Sequence, residues 1–210
     1  ATARLVQLTA LIGLLSLAPS LLVMATAFAR IVIVLSLLRS AIGAPGIPPN
    51  PVLIGLALFL TFFVMQPVFE ASWTQGIVPM TEGRISELAG LEAAAQPFRL
   101  FMVANIREDD LILFMDLGGI QAVTNPAETP WRALIPAFIV GELKRAFEIG
   151  FLLFLPFLVI DMVIASILMS LGMMMLPPSV VALPFKLIFF VLVDGWRLVS
   201  GSLVQGFNLS

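Results

Sequence analysis

Hydrophobic positions fill this chain in long unbroken runs, and its few polar residues mark where the runs stop. Leu5 to Ala29 carries no charge over about 25 residues, enough for a helix to cross a bilayer core. Pro19 interrupts that run. A proline removes a backbone hydrogen bond and kinks or ends a helix, so two helical pieces are predicted, the second from about Ser20 through Leu38. Arg30 and Arg39 flank the apolar Ile31 to Leu38, and a Gly/Pro-rich connector from Gly43 to Pro51 closes the unit. Basic residues beside a short connector point to its cytoplasmic side. Asn50 suits an N-cap and Pro51 a first helical turn, so a second run of spanning length begins there. It extends past Phe69 toward Trp73, with a bend expected at Pro67.

The pattern changes after Trp73. Residues 74–132 hold half of the chain's Asp, Glu, Lys and Arg residues, from Glu82 to Arg132. A stretch of this size can form a small helical subdomain that buries only a modest core and leans on its neighbours for order. Its expected helices run about Arg84 to Ala94 and Phe98 to Leu117, with Asn125, Pro126 and Pro130 marking a loop. The chain thus divides into N-terminal apolar helices (1–73), a soluble and expectedly periplasmic region (74–132) and a C-terminal pair of hairpin helices (133–210). The expected fold is all-α: membrane-associated helical hairpins with a small, mostly helical soluble insertion.

The C-terminal part turns at Ser170 to Pro178. Gly172 is suited to close a helix in the left-handed conformation, and Pro177 and Pro178 suit the start of the next one. Met173, Met174 and Met175 therefore form the apex of a helical hairpin. A connecting apex is normally polar because it lies in water, yet this one is among the most apolar stretches of the chain. Either the three methionines fill a core gap, a common use of Met, or copies of the apex meet and close a passage with deformable thioethers.

Charges inside the apolar arms sharpen the picture. Glu142, Lys144, Arg145, Glu148 and Asp161 fall within a helical pattern from Leu134 to Leu176. Each charge costs about 2.5–3.5 kcal/mol at membrane depth, so they should be paired or kept from lipid. Spacings of three and four let Glu142, Lys144, Arg145 and Glu148 form one local network. Asp161 has no such neighbour, but Lys186 lies equally far from the apex, about 12 residues or roughly 18 Å along the other arm. An Asp161–Lys186 contact within the chain is predicted, the rival partner of Lys186 being Glu142 of a neighbouring copy. Glu148 and Arg197 match to within a turn by the same count. Failing such pairs, the charges would line a water-filled space.

Composition excludes several classes. Hydrophobic residues make up 60% and charged residues 11%, with a mean hydropathy of +1.09, which places the chain in or against a membrane. Without Cys, His or Tyr there is no disulfide, no thiolate or imidazole metal site and no triad built on an imidazole base. No metal or cofactor is expected, and a net charge of -2 gives no reason to expect nucleic acid as a partner. The chain begins at Ala1, so we expect an N-terminal piece to precede it, whether a cleaved signal peptide or another start. An intramembrane carboxylate protease would need Asp161 and Asp194 within a few ångströms, but Asp194 lies about two turns beyond the level that matches Asp161. A proton-coupled transporter would use Asp161 or Glu142 as a relay and needs an enclosed site in one chain or a pair of repeats, of which the sequence shows none.

Several long blocks resemble the flagellar biosynthetic protein FliP family, the export-gate subunit of flagellar type III secretion. They are Phe28 to Arg39, Pro48 to Met65, Leu134 to Phe151, and Leu155 to Pro178, followed by Leu183-Pro-Phe-Lys186 and Val193-Asp-Gly-Trp196. Gly141 and Ala27 depart from it, standing where relatives more often carry Ser. The resemblance implies a non-enzymatic, pore-forming subunit of a pentameric ring in the inner membrane and flagellar basal body, with FliQ-like and FliR-like subunits. It implies FlhA-like and FlhB-like export partners, a FliO-like assembly factor, contact with membrane lipid and unfolded proteins as substrates. It also implies that Met173, Met174 and Met175 form a gasket, that Phe154 narrows the same conduit, and that Glu142 and Lys186 serve assembly. Its helices would then be buried largely against protein above the membrane plane. The homologous injectisome export gate is the nearest alternative.

Overall fold

The computed structural model describes residues 23–208 except 122 and 124, together with residues 9, 13, 16, 19 and 20. The run expected from Leu5 and the break at Pro19 fall mostly outside these described residues. Among them the regular structure is helical throughout.

The first complete helix, α1, spans Phe28–Ile42. It does not run unbroken from Ser20: the chain turns at 25–27, and the Phe28 amide donates to Thr26 Oγ1 at 3.3 Å. A hydroxyl that accepts from an amide two residues on offers the backbone an alternative to helix, which is why the break falls here. Helix α2 covers Asn50–Ser72, as the Asn-Pro start predicts. It passes through Pro67, and α-helical bonding gives way later, to a π-helical turn at Trp73–Ile77 and a short α3 at Val78–Thr81.

Helix α4, Glu87–Asn105, starts where Ser86 Oγ accepts from the Ala89 amide at 3.3 Å, and α5 follows at Glu108–Leu117. The expected break near Pro97 is absent. Pro97 is buried inside α4, and the chain breaks instead at Ile106 and Arg107. Packing outweighs the proline's local preference: Phe98 meets Phe69 and Phe101 meets Phe138, with ring centroids 5.8 and 6.0 Å apart. Glu108, Asp109 and Asp110 then fill the first turn of α5, where negative charge is favoured. After a 3-10 turn at Pro126–Glu128 comes α6, Trp131–Ser170, which leads through the Met-rich apex to α7, Pro178–Leu192, and α8, Gly195–Gln205.

Two compact units share this chain. In the unit that includes residues 65–141, Leu111, Met115, Ala133 and Ala137 form a buried cluster, and Ser72 Oγ donates to the Ala94 carbonyl at 2.7 Å. The close approach depends on Gly76, because a Cβ there would run into the backbone of Ala94. The other unit, 30–64 with 142–208, buries Ile31, Val34, Leu35 and Leu38 of α1, Leu53 and Ala57 of α2, and Phe157 and Phe190 of the hairpin.

Helix α6 has 40 residues. At 1.5 Å per residue that is roughly 60 Å, about twice the hydrocarbon thickness of a bilayer. Asn50–Thr81 and Trp131–Ser170 are long and apolar enough to cross a membrane. The pair α7 and α8, bent by 61°, adds a third such segment if taken together.

Candidate functional site

The apex forms as its glycine and prolines dictate. Gly172 adopts φ +70°, and its amide donates to the Met169 carbonyl at 3.1 Å while Met173 donates to Leu168 at 2.9 Å. These bonds satisfy the last carbonyls of α6, and the left-handed residue that permits them is a glycine. Pro177 is the N-cap of α7 and Pro178 its first residue. Between them Met173, Met174 and Met175 are 47%, 81% and 98% exposed in the single chain. They fill no core gap of this chain. Phe154, farther down α6, is half-buried.

Below the apex the two arms are joined by charge. Lys186 Nζ lies 2.7 Å from Asp161 Oδ2, the contact that equal distance from the apex predicts, and donates to the Ala41 carbonyl at 3.2 Å. Ala41 is in the last turn of α1, where exposed carbonyls and the helix dipole favour a cation. The lysine is buried and the aspartate about one third exposed. Gly43, at φ +76°, ends α1 beside them.

A second buried cation repeats this plan. Arg30 is 1% exposed, and its Nε and Nη2 donate to the two carboxylate oxygens of Glu142, which is also 1% exposed. Its Nη1 donates to the Gly206 carbonyl just past α8 at 2.7 Å, and the guanidinium lies 3.7 Å above the Phe207 ring. Each buried cation thus serves one carboxylate and one helix C-terminus. Arg30, read from the sequence only as a flank, was missed because its partner is 112 positions away. The detectable signal was a lone arginine between apolar runs and a glutamate on another apolar helix.

The expected local network is corrected in part. Glu142 turns to Arg30 and still feels the charge of Arg145 three positions on, which is half-buried, while Lys144 and Glu148 are exposed. Arg197 lies 3.8 Å from Asp194, its neighbour on α8, and not with Glu148. The count from the apex fails there because α7 ends at Leu192 and Asp194, at φ +52°, begins a helix bent away by 61°. Asp161 and Asp194 are each engaged with a cation, an arrangement unlike a proton-sharing dyad. Among the described residues no group of three His, Cys, Asp or Glu gathers to hold a metal.

A sequence model of the FliP family matches residues 11–203. The chain is 60% identical to the flagellar biosynthetic protein FliP of Caulobacter vibrioides over 99% of its own length and 78% of that protein's. It is 52% identical to FliP of Pectobacterium carotovorum, over 96% of the chain and 78% of the relative, and 48% identical to FliP of Bacillus subtilis, over 96% and 91%. With most of its length matched by that model and by relatives at such identity, the chain belongs to the FliP family.

Proposed function

We propose that this protein is a pore-forming subunit of the flagellar export gate, acting as one copy in a ring of five. It is a component of flagellar biosynthesis and protein export, and the flagellar names of its relatives favour this reading over the injectisome gate. In the proposal the ring sits in the inner membrane at the basal body with FliQ-like and FliR-like subunits. A FliO-like factor assists assembly, and FlhA-like and FlhB-like proteins deliver unfolded substrates. Residues 74–132 form its soluble periplasmic region, between the apolar helices of 1–73 and the hairpin of 133–210.

The observation that carries the reading is the exposure of three consecutive methionines at the tip of a hairpin whose arms are joined by the Asp161–Lys186 ion pair. A conduit that passes unfolded chains yet holds back ions needs side chains that shed water and then deform. Met offers no charge to solvate an ion, and its unbranched thioether has several rotatable bonds, so a ring of such tips can close by dewetting and reopen around varied chains. Met173, Met174 and Met175 are the proposed gasket and Phe154 a constriction behind it. Glu142, Lys144, Arg145, Glu148, Asp161 and Lys186 are the proposed assembly charges, while Gly172, Pro177 and Pro178 shape the turn. No catalytic step or cofactor is assigned.

The test is ion conductance of the purified complex in planar bilayers, with cryo-electron microscopy to verify the ring. Changing all three methionines to Ala should raise the closed-state leak, and changing them to Asp should raise it further. Unaltered conductance in an intact ring would overturn the gasket.

A further inference from the structure

Arg39 differs from the two buried cations of its unit. Buried Arg30 and Lys186 each hold a carboxylate, whereas the Arg39 guanidinium donates only to neutral acceptors, Asn50 Oδ1 and, at 3.4 Å, the Pro48 carbonyl. Among the described residues no Asp or Glu pairs with it. With Ser40, Gly43, Gly46 and Asn50 it lines an open polar recess of about 440 Å³. One helical turn back on the same face of α1, Leu35 opens a second recess of about 150 Å³. Pro48, Val52, Leu53, Leu56 and Trp196 complete its wall, which presents no polar surface. A recess with such a wall offers water no hydrogen-bond partner and suits hydrocarbon.

The two recesses are neighbours across the connector: Arg39 binds both Pro48 and Asn50, Pro48 lines the apolar slot and Asn50 the polar one. We propose that this corner of α1, α2 and α8 holds an anionic phospholipid, its phosphate on Arg39 and a segment of one acyl chain in the slot beside Trp196. A soluble anion would answer the cation and leave the slot empty. A neutral hydrocarbon would fill the slot and leave Arg39 uncompensated. An amphiphile meets both demands at once, and a basic recess beside apolar helices is the chemistry by which membrane proteins select anionic headgroups. Trp196, half exposed and fixed edge-on against Phe190 at 5.2 Å, supplies the amphipathic ring favoured at a membrane interface. The site is independent of the gasket and stands or falls without it.

Quenching of tryptophan fluorescence by phospholipids with brominated acyl chains tests this on the delipidated full-length protein in its complex. The Trp196 contribution is read as the difference from Trp196→Phe. Brominated phosphatidylglycerol should quench it at about one fifth of the concentration needed for brominated phosphatidylcholine, the worth of one basic residue beside an anionic lipid. Arg39→Gln should remove that preference and Arg39→Lys keep it. Equal quenching by the two lipids, or a preference that survives in Arg39→Gln, would overturn the site. So would displacement of the lipid by millimolar inorganic phosphate, which would mark a soluble anion, or a Trp196 that neither lipid reaches, which would mean that a partner protein fills the slot.

Discussion

Asp161 and Lys186 stand side by side, 2.7 Å between Oδ2 and Nζ, and pin the two arms of the hairpin at equal distance from the methionine apex. The pair is lopsided. Lys186 is nearly enclosed and holds the end of α1 through the Ala41 carbonyl, whereas Asp161 keeps one third of its side-chain surface open. Asp161 Oδ1 has no hydrogen-bond partner.

That asymmetry decides which half of the pair is costlier to remove. Asp161→Asn leaves an ammonium buried without its counter-charge, a change that costs about 3–5 kcal/mol. Lys186→Met leaves a carboxylate that can still reach solvent and should cost less. The double variant should be more stable than Asp161→Asn alone. Thermal unfolding of the purified protein in detergent gives the order, and a Lys186→Met more damaging than Asp161→Asn would refute the reasoning.

Arg30 should respond to a change of shape as sharply as to a loss of charge. Its guanidinium uses a bidentate fork on Glu142, a third bond to Gly206 and a stacked ring at once, and a lysine, with a single nitrogen and no planar face, cannot reproduce the fork and the stacking together with that third bond. Arg30→Lys should therefore release the end of α8. Trimming by carboxypeptidase should start faster in Arg30→Lys and in Phe207→Ala than in the unaltered chain. Equal trimming in all three would show that the tail is held by other contacts.

Gly141 offers a substitution that should restore a missing bond. A Cβ there would stand 3.2 Å from Asp110 Oδ2, a buried oxygen without a hydrogen bond whose nearest cation, Arg107 Nε, is 3.9 Å away. Alanine would crowd that oxygen and give nothing back. Serine adds a hydroxyl that can donate to it, and hydrogen bonds to charged groups contribute about 1.5–3 kcal/mol. Gly141→Ser should melt above Gly141→Ala; equal melting temperatures would mean that water already serves Asp110.

What could be read from the sequence follows how far each signal reaches along the chain. Gly172, Pro177 and Pro178 act on their own backbone, so the apex was legible, and so was the Asp161–Lys186 pair counted from it. The count stopped being valid at Asp194, where a left-handed residue redirects the chain. Pro97 misled for the opposite reason: its local preference is strong, but the aromatic contacts around it favour one continuous helix. Arg30 and Glu142 are joined only by the fold, and no pattern within either helix names the other.

Gly172 links the turn to the proposed seal. At φ +70° it has open space around its α-carbon, so a side chain there meets no clash and suffers only the backbone penalty of the left-handed region, about 1–2 kcal/mol. Gly172→Ala can relieve that penalty by rotating out of the left-handed conformation, which breaks the bonds from Gly172 and Met173 to the end of α6 and swings the methionines. Stability should fall modestly while closed-state ion leak rises as much as in a methionine variant. Gly172→Asn, which tolerates the left-handed conformation better, should leak less than Gly172→Ala. A Gly172→Ala protein that loses stability without leaking would separate the turn from the seal and show that the methionines keep their place without it.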